Sequence, residues 1–301
     1  MKLENLKLNL DTELVLNVGD PIGKTNAPRC YNKLFERLDM NTLMLPCEIK
    51  KGQLPQFLDA CRLMGIHYLC PTMPHKGDFV DLLDDVDETS RLFRSVNAIR
   101  IDENGSHGTG MDGKGAIKAM LDGGAKLDGI NAMIYGAGGI SGVIAYELSR
   151  QNVKKLYIAN ITPEEPERIA KVLRENTAMD VEVLSLDPAG LDRAAENCEL
   201  FANLTPLGMK GFPYRHEYLG FVDRLPKTAT VFDSVINPPV SETIEAGQKN
   251  GLNTVPGMMM LVSQMDVIFD YLFQKKITED DKLACIEELC SFLNVPNPVK
   301  K

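Results

Sequence analysis

The stretch Asn131-Ala132-Met133-Ile134-Tyr135-Gly136-Ala137-Gly138-Gly139-Ile140-Ser141-Gly142 decides the fold. Its apolar run, Ala132 to Tyr135, predicts a buried strand. A glycine-rich turn follows at once, and Val143 to Leu148 predicts the start of a helix. Gly136 and Gly138 let the backbone turn tightly and approach a pyrophosphate, whose charge then faces the helix N-terminus. The third small position of this fingerprint is Ser141, where Gly or Ala is usual. Gly-x-Gly-x-x-small alone is a weak signal that any βα turn can produce. A strand before it and a helix after it turn it into a dinucleotide-binding expectation.

On the N-terminal side of this stretch, Glu13–Val18, Thr42–Ile49, Ile66–Cys70 and Ala98–Ile101 predict strands. Pro28 suits a first helical turn, with Tyr31, Leu34, Phe35 and Leu38 at helical spacing after it. Leu54, Phe57, Leu58, Cys61 and Met64 mark a second amphipathic helix that Gly65 ends. Two short helical segments fit between Lys76 and Leu92, and Asp102-Glu103-Asn104-Gly105 reads as a hairpin-like turn. Strands alternating with helices imply a mainly parallel sheet. Beyond the fingerprint the alternation repeats, with strands at Leu156–Asn160, Val181–Leu184, Leu200–Asn203 and Thr230–Asp233. Gly257–Phe273 and Thr278–Leu293 predict long helices that return to the first domain. In the Met258-Met259-Met260 run the reading is adaptable core packing.

The expected fold class is therefore α/β with two domains. Residues 1–115 form an α/β substrate domain, 116–255 a Rossmann-type dinucleotide domain, and 256–301 the C-terminal helices that complete the first. A chain of 301 residues, 44% hydrophobic, has the material for both cores. A net charge of -9 argues against a nucleic-acid surface. The N-terminal stretch alternates charge with leucine and lacks a signal-type apolar run, and no run reaches transmembrane length. Seven scattered cysteines without a Cys-x-x-Cys pair suit reduced thiols, a cytoplasmic location and no metal.

Polar clusters fall where predicted strands end: Lys24 to Asn26, Thr72 to Lys76, Asn97 and Asp112, with Gln264 near the start of a late helix. Singly, each reads as surface. Together they carry a resemblance that spans nearly the whole chain. Gly19-Asp20-Pro21-Ile22 with Thr25-Asn26-Ala27-Pro28 is similar to the Gly-x-Pro-Ile and Ser-x-Ser-Pro of the shikimate/quinate dehydrogenase family. Cys70-Pro71-Thr72-Met73-Pro74-His75-Lys76 resembles its Asn-Val-Thr-x-Pro-x-Lys. Ser95-Val96-Asn97-Ala98 and Gly110-Met111-Asp112-Gly113 are similar to Ala-Val-Asn-Thr and Asn-Thr-Asp-Gly. Gly-Ala-Gly-Gly-x-Ser stands intact at 136–141, and Asn203 to Met209 resembles Asn-x-Thr-x-x-Gly-Met. Pro256 to Gln264 resembles Asp-Gly-x-x-Met-Leu-x-x-Gln.

The resemblance implies reversible oxidation of a ring hydroxyl, in the setting of aromatic amino acid biosynthesis. Lys76 and Asp112 would be the catalytic pair. A hydride leaving an alcohol carbon requires the hydroxyl proton to leave too, and a lysine in hydrogen-bond reach can relay it. Thr25, Cys70, Thr72, Asn97 and Gln264 would meet the substrate. Gly136, Ala137, Gly138, Gly139, Ile140, Ser141, Asn160, Thr205 and Gly257 would meet the dinucleotide.

The departures cluster at one end of the substrate. The family's paired serines, which hold the carboxylate, become Thr25 and Ala27; its Asn becomes Cys70; its Tyr within Asp-x-x-Tyr-x-Pro becomes Ile236. Each lost contact to a charged group costs roughly 1.5–3 kcal/mol. Efficient use of shikimate is not expected unless Lys24, His75 or Asn26 compensates, and a related cyclic polyol or hydroxy acid is the expected partner. The residue after Asn160 is Ile161, where relatives that use NADP carry an Arg, so NAD is expected over NADP. A homodimer is compatible with the chain; nucleic acid and membrane are not expected partners. Two other readings stand beside this one, a folate dehydrogenase of similar architecture and a sensor that binds dinucleotide and metabolite without catalysis.

Overall fold

The computed structural model describes residues 8–23 and 25–299, in two compact units. One unit holds the described residues up to Met111 together with Met265–Asn294, the other Asp112–Gln264 with the described residues from Val295 on. Among the described residues no helix is long and apolar enough to cross a membrane.

The first unit begins with β1 (Glu13–Gly19), α1 (Ala27–Arg37), β2 (Thr42–Glu48), α2 (Leu54–Leu63) and β3 (Tyr68–Pro71). β4 (Asp85–Val86), α3 (Glu88–Phe93), β5 (Ala98–Asp102) and β6 (Gly105–Thr109) follow. The sheet runs β2-β1-β3-β5-β6-β4. β1 is parallel to β2 and β3, as helical crossovers require. The sheet is nonetheless mixed, because β5 is antiparallel to both β3 and β6. Only Glu103 and Asn104 join β5 to β6, too few for a crossover, and the Asn104 N–H closes the turn on Asp102 Oδ1 at 2.8 Å. Leu16, Val18, Leu58, Leu69, Phe79 and Ile99 form the core between sheet and helices. At the sheet's rim β2 carries Pro46, which lies opposite Asn17.

The second unit holds α4 (Asp112–Asp122), β7 (Asn131–Tyr135), α5 (Ser141–Arg150), β8 (Lys155–Ala159), α6 (Glu164–Asn176) and β9 (Asp180–Leu184). It continues through α7 (Pro188–Ala195), β10 (Leu200–Asn203), β11 (Thr230–Asp233), α8 (Glu242–Lys249) and β12 (Asn253–Val255). All six strands are parallel, in the order β12-β11-β10-β7-β8-β9. Strand order reverses beside β7, so the glycine turn after Tyr135 opens at the topological switch point where such sheets bind ligands. Met133, Phe201, Phe221 and Val231 anchor the core on one face.

Helix α9 (Gly257–Phe273) contains the division between the units, and α10 (Glu279–Leu293) belongs wholly to the first. Within that unit Phe269 packs on Tyr31 and Phe35 of α1, and Phe273 on Phe35, at centroid distances of 5.3 to 5.4 Å. Thr278 and Asp281 close a capping box at the start of α10, and Arg37 meets Asp281 at 2.6 Å.

Candidate active site

In the first unit the expected substrate residues gather at the ends of β1 and β3. Gly19 permits the close turn between them: a Cβ there would lie 2.7 Å from Thr72 Cγ2 and 2.9 Å from the Met73 carbonyl oxygen. The Thr72 N–H donates to Val18 O at 2.8 Å, which fixes the start of the turn carrying Thr72, His75 and Lys76. Lys76 is half-buried, and its carbonyl accepts from Val96 N at 3.0 Å. That bond brings the lysine turn beside Asn97. The buried Asn97 in turn accepts from Met111 N through Oδ1 at 2.7 Å.

Thr25 and Cys70 also come together, through a residue that sequence reading missed. Asn17 is buried in the middle of β1. Its Nδ2 donates to Cys70 O at 2.8 Å, and its Oδ1 accepts from Thr25 Oγ1 at 2.8 Å. The available signal was an amide inside the otherwise apolar run Leu14 to Val18. Burial pushes the Cys70 thiol up to about 12, so it stays neutral. His75 is fully buried and its Nε2 lies 2.7 Å from Ile49 O. Nε2 is committed to that carbonyl, and Nδ1 lies 3.6 Å from Asp78 Oδ2. Lys24 lies outside the described residues.

In the second unit Asp112 opens α4 and is buried. Gln264 Nε2 donates to Asp112 Oδ1 at 2.5 Å. Gly115, one turn along, makes this approach possible, since a Cβ there would stand 2.6 Å from Gln264 Cα. The fingerprint turn has the expected geometry. Gly136 has φ +109, a backbone state that L side chains rarely adopt, and its Cβ position is 2.7 Å from Thr205 Cγ2. Gly138 and Gly139 face open space. Ser141, the first residue of α5, is fully buried, and its Oγ has no hydrogen-bond partner among the described residues. A buried orphan hydroxyl at a helix N-terminus behind an open glycine turn fits a dinucleotide pyrophosphate.

Around that turn the strand ends are tied together. The Ala137 N–H donates to Asn160 Oδ1 at 3.2 Å, while Asn160 Nδ2 donates to Thr162 Oγ1 at 2.9 Å and Glu165 Oε2 at 3.1 Å. Thr205 N and Oγ1 both donate to Asn203 Oδ1, at 3.2 and 2.7 Å. Asn203 is itself held by Asp233, a second residue not singled out beforehand. Asp233 Oδ1 accepts from Asn203 Nδ2 at 3.0 Å and Val235 N at 2.8 Å, and Oδ2 from Ser241 Oγ at 2.5 Å. Burial outweighs these donors and pushes its carboxyl up to about 6. Gly257 sets the start of α9 against the same strand end; a Cβ there would meet Val235 O at 2.5 Å.

Residues 18–99 match the family model of the shikimate dehydrogenase substrate binding domain. The shikimate dehydrogenase (NADP(+)) of Rubrobacter xylanophilus is 32% identical over 266 residues, covering 86% of this chain and 89% of that protein. The chain belongs to the shikimate/quinate dehydrogenase family. It is an oxidoreductase acting on CH–OH. A shikimate 5-dehydrogenase of Listeria monocytogenes, solved with shikimate and NAD, shares the family fold at a TM-score of 0.86 and 24% identity, covering 92% of this chain and 97% of that one. A shikimate dehydrogenase solved with NADP+ aligns at a TM-score of 0.81 and 25% identity over 93% of this chain and 97% of that one.

The expectation of NAD over NADP is corrected by these relatives, because the curated family members are named for NADP(+). One side chain does not decide the coenzyme. Ile161 is 84% exposed and offers no cation, but hydroxyls and helix-start N–H groups also take phosphate. Selectivity sums over all of them.

Proposed function

We propose that this chain catalyses the reversible, NADP-linked oxidation of a ring hydroxyl in a shikimate- or quinate-like hydroxy acid or a related cyclic polyol. In this reading the first unit binds the substrate and the second the dinucleotide. Gly136 to Ser141, Asn160, Thr205 and Gly257 hold the cofactor, which when bound accepts the hydride. Lys76 takes the hydroxyl proton as general base and returns it in the reverse direction. Asp112 orients the reacting hydroxyl and the lysine. Thr72, Asn97 and Gln264 bond the ring hydroxyls, and Thr25 and Cys70 line the head-group end.

The observation that carries this reading is the bond from Gln264 Nε2 to Asp112 Oδ1 at 2.5 Å. It joins two of the expected residues, 152 positions apart, and the neutral amide orients the carboxylate. Replacement of Lys76 by Ala tests the reading. Turnover of ring alcohols with NADP+ should fall by roughly 10²–10⁴-fold while dinucleotide binding persists. Undiminished turnover in Lys76→Ala refutes the assignment. A chain that binds metabolite and dinucleotide but shows no turnover before the substitution is the sensor instead.

A further inference from the structure

The polar contacts of Asn17 determine what Thr25 can offer a ligand. Cys70 O is a carbonyl and only accepts, so the Asn17 atom 2.8 Å from it must be the amide nitrogen. That orientation turns the amide oxygen towards Thr25 Oγ1, also at 2.8 Å. An amide oxygen only accepts as well, so the Thr25 hydroxyl must spend its single proton on Asn17. What remains on Thr25 is acceptor capacity, and the Ala27 N–H meets part of it at 3.4 Å.

Among the described residues, the following neighbours in this corner offer no donor in exchange. Ala27 has a methyl group. The Cys70 thiol is buried and neutral, and it receives a hydrogen bond from the Tyr31 hydroxyl. His75 faces Ile49 O. The Thr25 N–H is taken by Ile22 O at 3.0 Å, and the Ile22 N–H by Glu48 Oε2 at 3.2 Å. Pro28, in the first turn of α1, has no N–H to give. A carboxylate set against lone pairs, with its water removed and no donor in exchange, is strongly disfavoured. A hydroxyl donates its proton to the same lone pairs.

We infer that Asn17 is a specificity-determining residue that makes the head-group corner select an uncharged, hydroxyl-bearing substrate, a polyol or ketose ring, over a carboxylate. The inference rests on the proposed function for the identity of this corner, and it narrows that function from hydroxy acids to neutral polyols.

The test compares shikimate with its analogue in which the carboxylate is replaced by a hydroxymethyl group, both titrated calorimetrically into the full chain. The alcohol should bind about tenfold more tightly or better. Asn17→Leu frees the Thr25 proton and should bring the ratio to one or below. Thr25→Val removes the acceptor without disturbing Asn17's bond to Cys70 O. It should weaken the alcohol about tenfold and leave shikimate unchanged, which keeps the test decisive if Asn17→Leu fails to fold. Equal or tighter binding of shikimate by the unmodified chain overturns the inference. So does binding of neither compound, or a Thr25→Val variant that holds the alcohol as well as before. Because binding is the readout, a chain that prefers the alcohol but does not oxidise it refutes the catalytic reading and supports this one.

Discussion

Replacement of Asp233 by Asn should flatten part of the chain's pH–stability profile. The carboxyl, ordinarily near 3.8, is pushed up to about 6 by burial, against the pull of Ser241, Val235 and Asn203. Below pH 3.8 it is protonated folded and unfolded alike, and it imposes no pH dependence. Between there and pH 6 the folded chain keeps a proton that the unfolded chain has lost. Stability therefore falls as pH rises through this window and levels off above it. Tenfold in proton affinity is about 1.4 kcal/mol, so the fall amounts to about 3 kcal/mol. Asparagine has nothing to titrate. The stability of the parent relative to Asp233→Asn should decline by about 3 kcal/mol from pH 3 to pH 7. Urea unfolding at each pH, followed by circular dichroism because the chain has no tryptophan, gives this difference. Parallel profiles for the two proteins would refute the reasoning, since they would mean that the buried carboxyl ionises as readily as in water.

Gly136→Ala forces a side chain to φ +109 and into Thr205 Cγ2 at 2.7 Å, so NADP+ affinity measured by calorimetry should drop at least about tenfold. Gln264→Leu removes the amide donor that sets Asp112. It should lower kcat/KM about tenfold or more, with a melting temperature close to the parent's. Phe269→Ala empties the centre of the ring cluster with Tyr31, Phe35 and Phe273. The expected loss in urea unfolding is about 3–5 kcal/mol.

Elements with strong local signals were legible in the sequence. The apolar run before Gly136 became β7, and the late periodic stretch became α9 over the expected residues. Thr278, expected inside the last helix, is its cap. β12 and β4 escaped notice because strands of three and two residues carry no usable period. The antiparallel β5–β6 pair was half-visible as a turn, but its effect on the parallel character of the sheet was not drawn.

Residues that announce themselves by type, such as Lys76, Asp112 and Gln264, could be proposed for the site from the sequence. Those that act by holding others could not. Asn17 reaches Cys70 across 53 positions and Asp233 reaches Asn203 across 30, partnerships that arise only when strands align. The coenzyme reading failed for a related reason, since one missing arginine stood in for a whole binding surface.

Pro46 bears on how this protein survives in a crowded solution. β2 lies at the margin of its sheet, where an open row of peptide groups could recruit a strand from another molecule. A proline fits a paired strand only with its nitrogen turned away from the neighbour, so it interrupts that row on the outer side. Growth of the sheet by accretion from that margin is blocked at its middle. A change such as Pro46→Val would leave the fold intact and open a route to fibrous self-association.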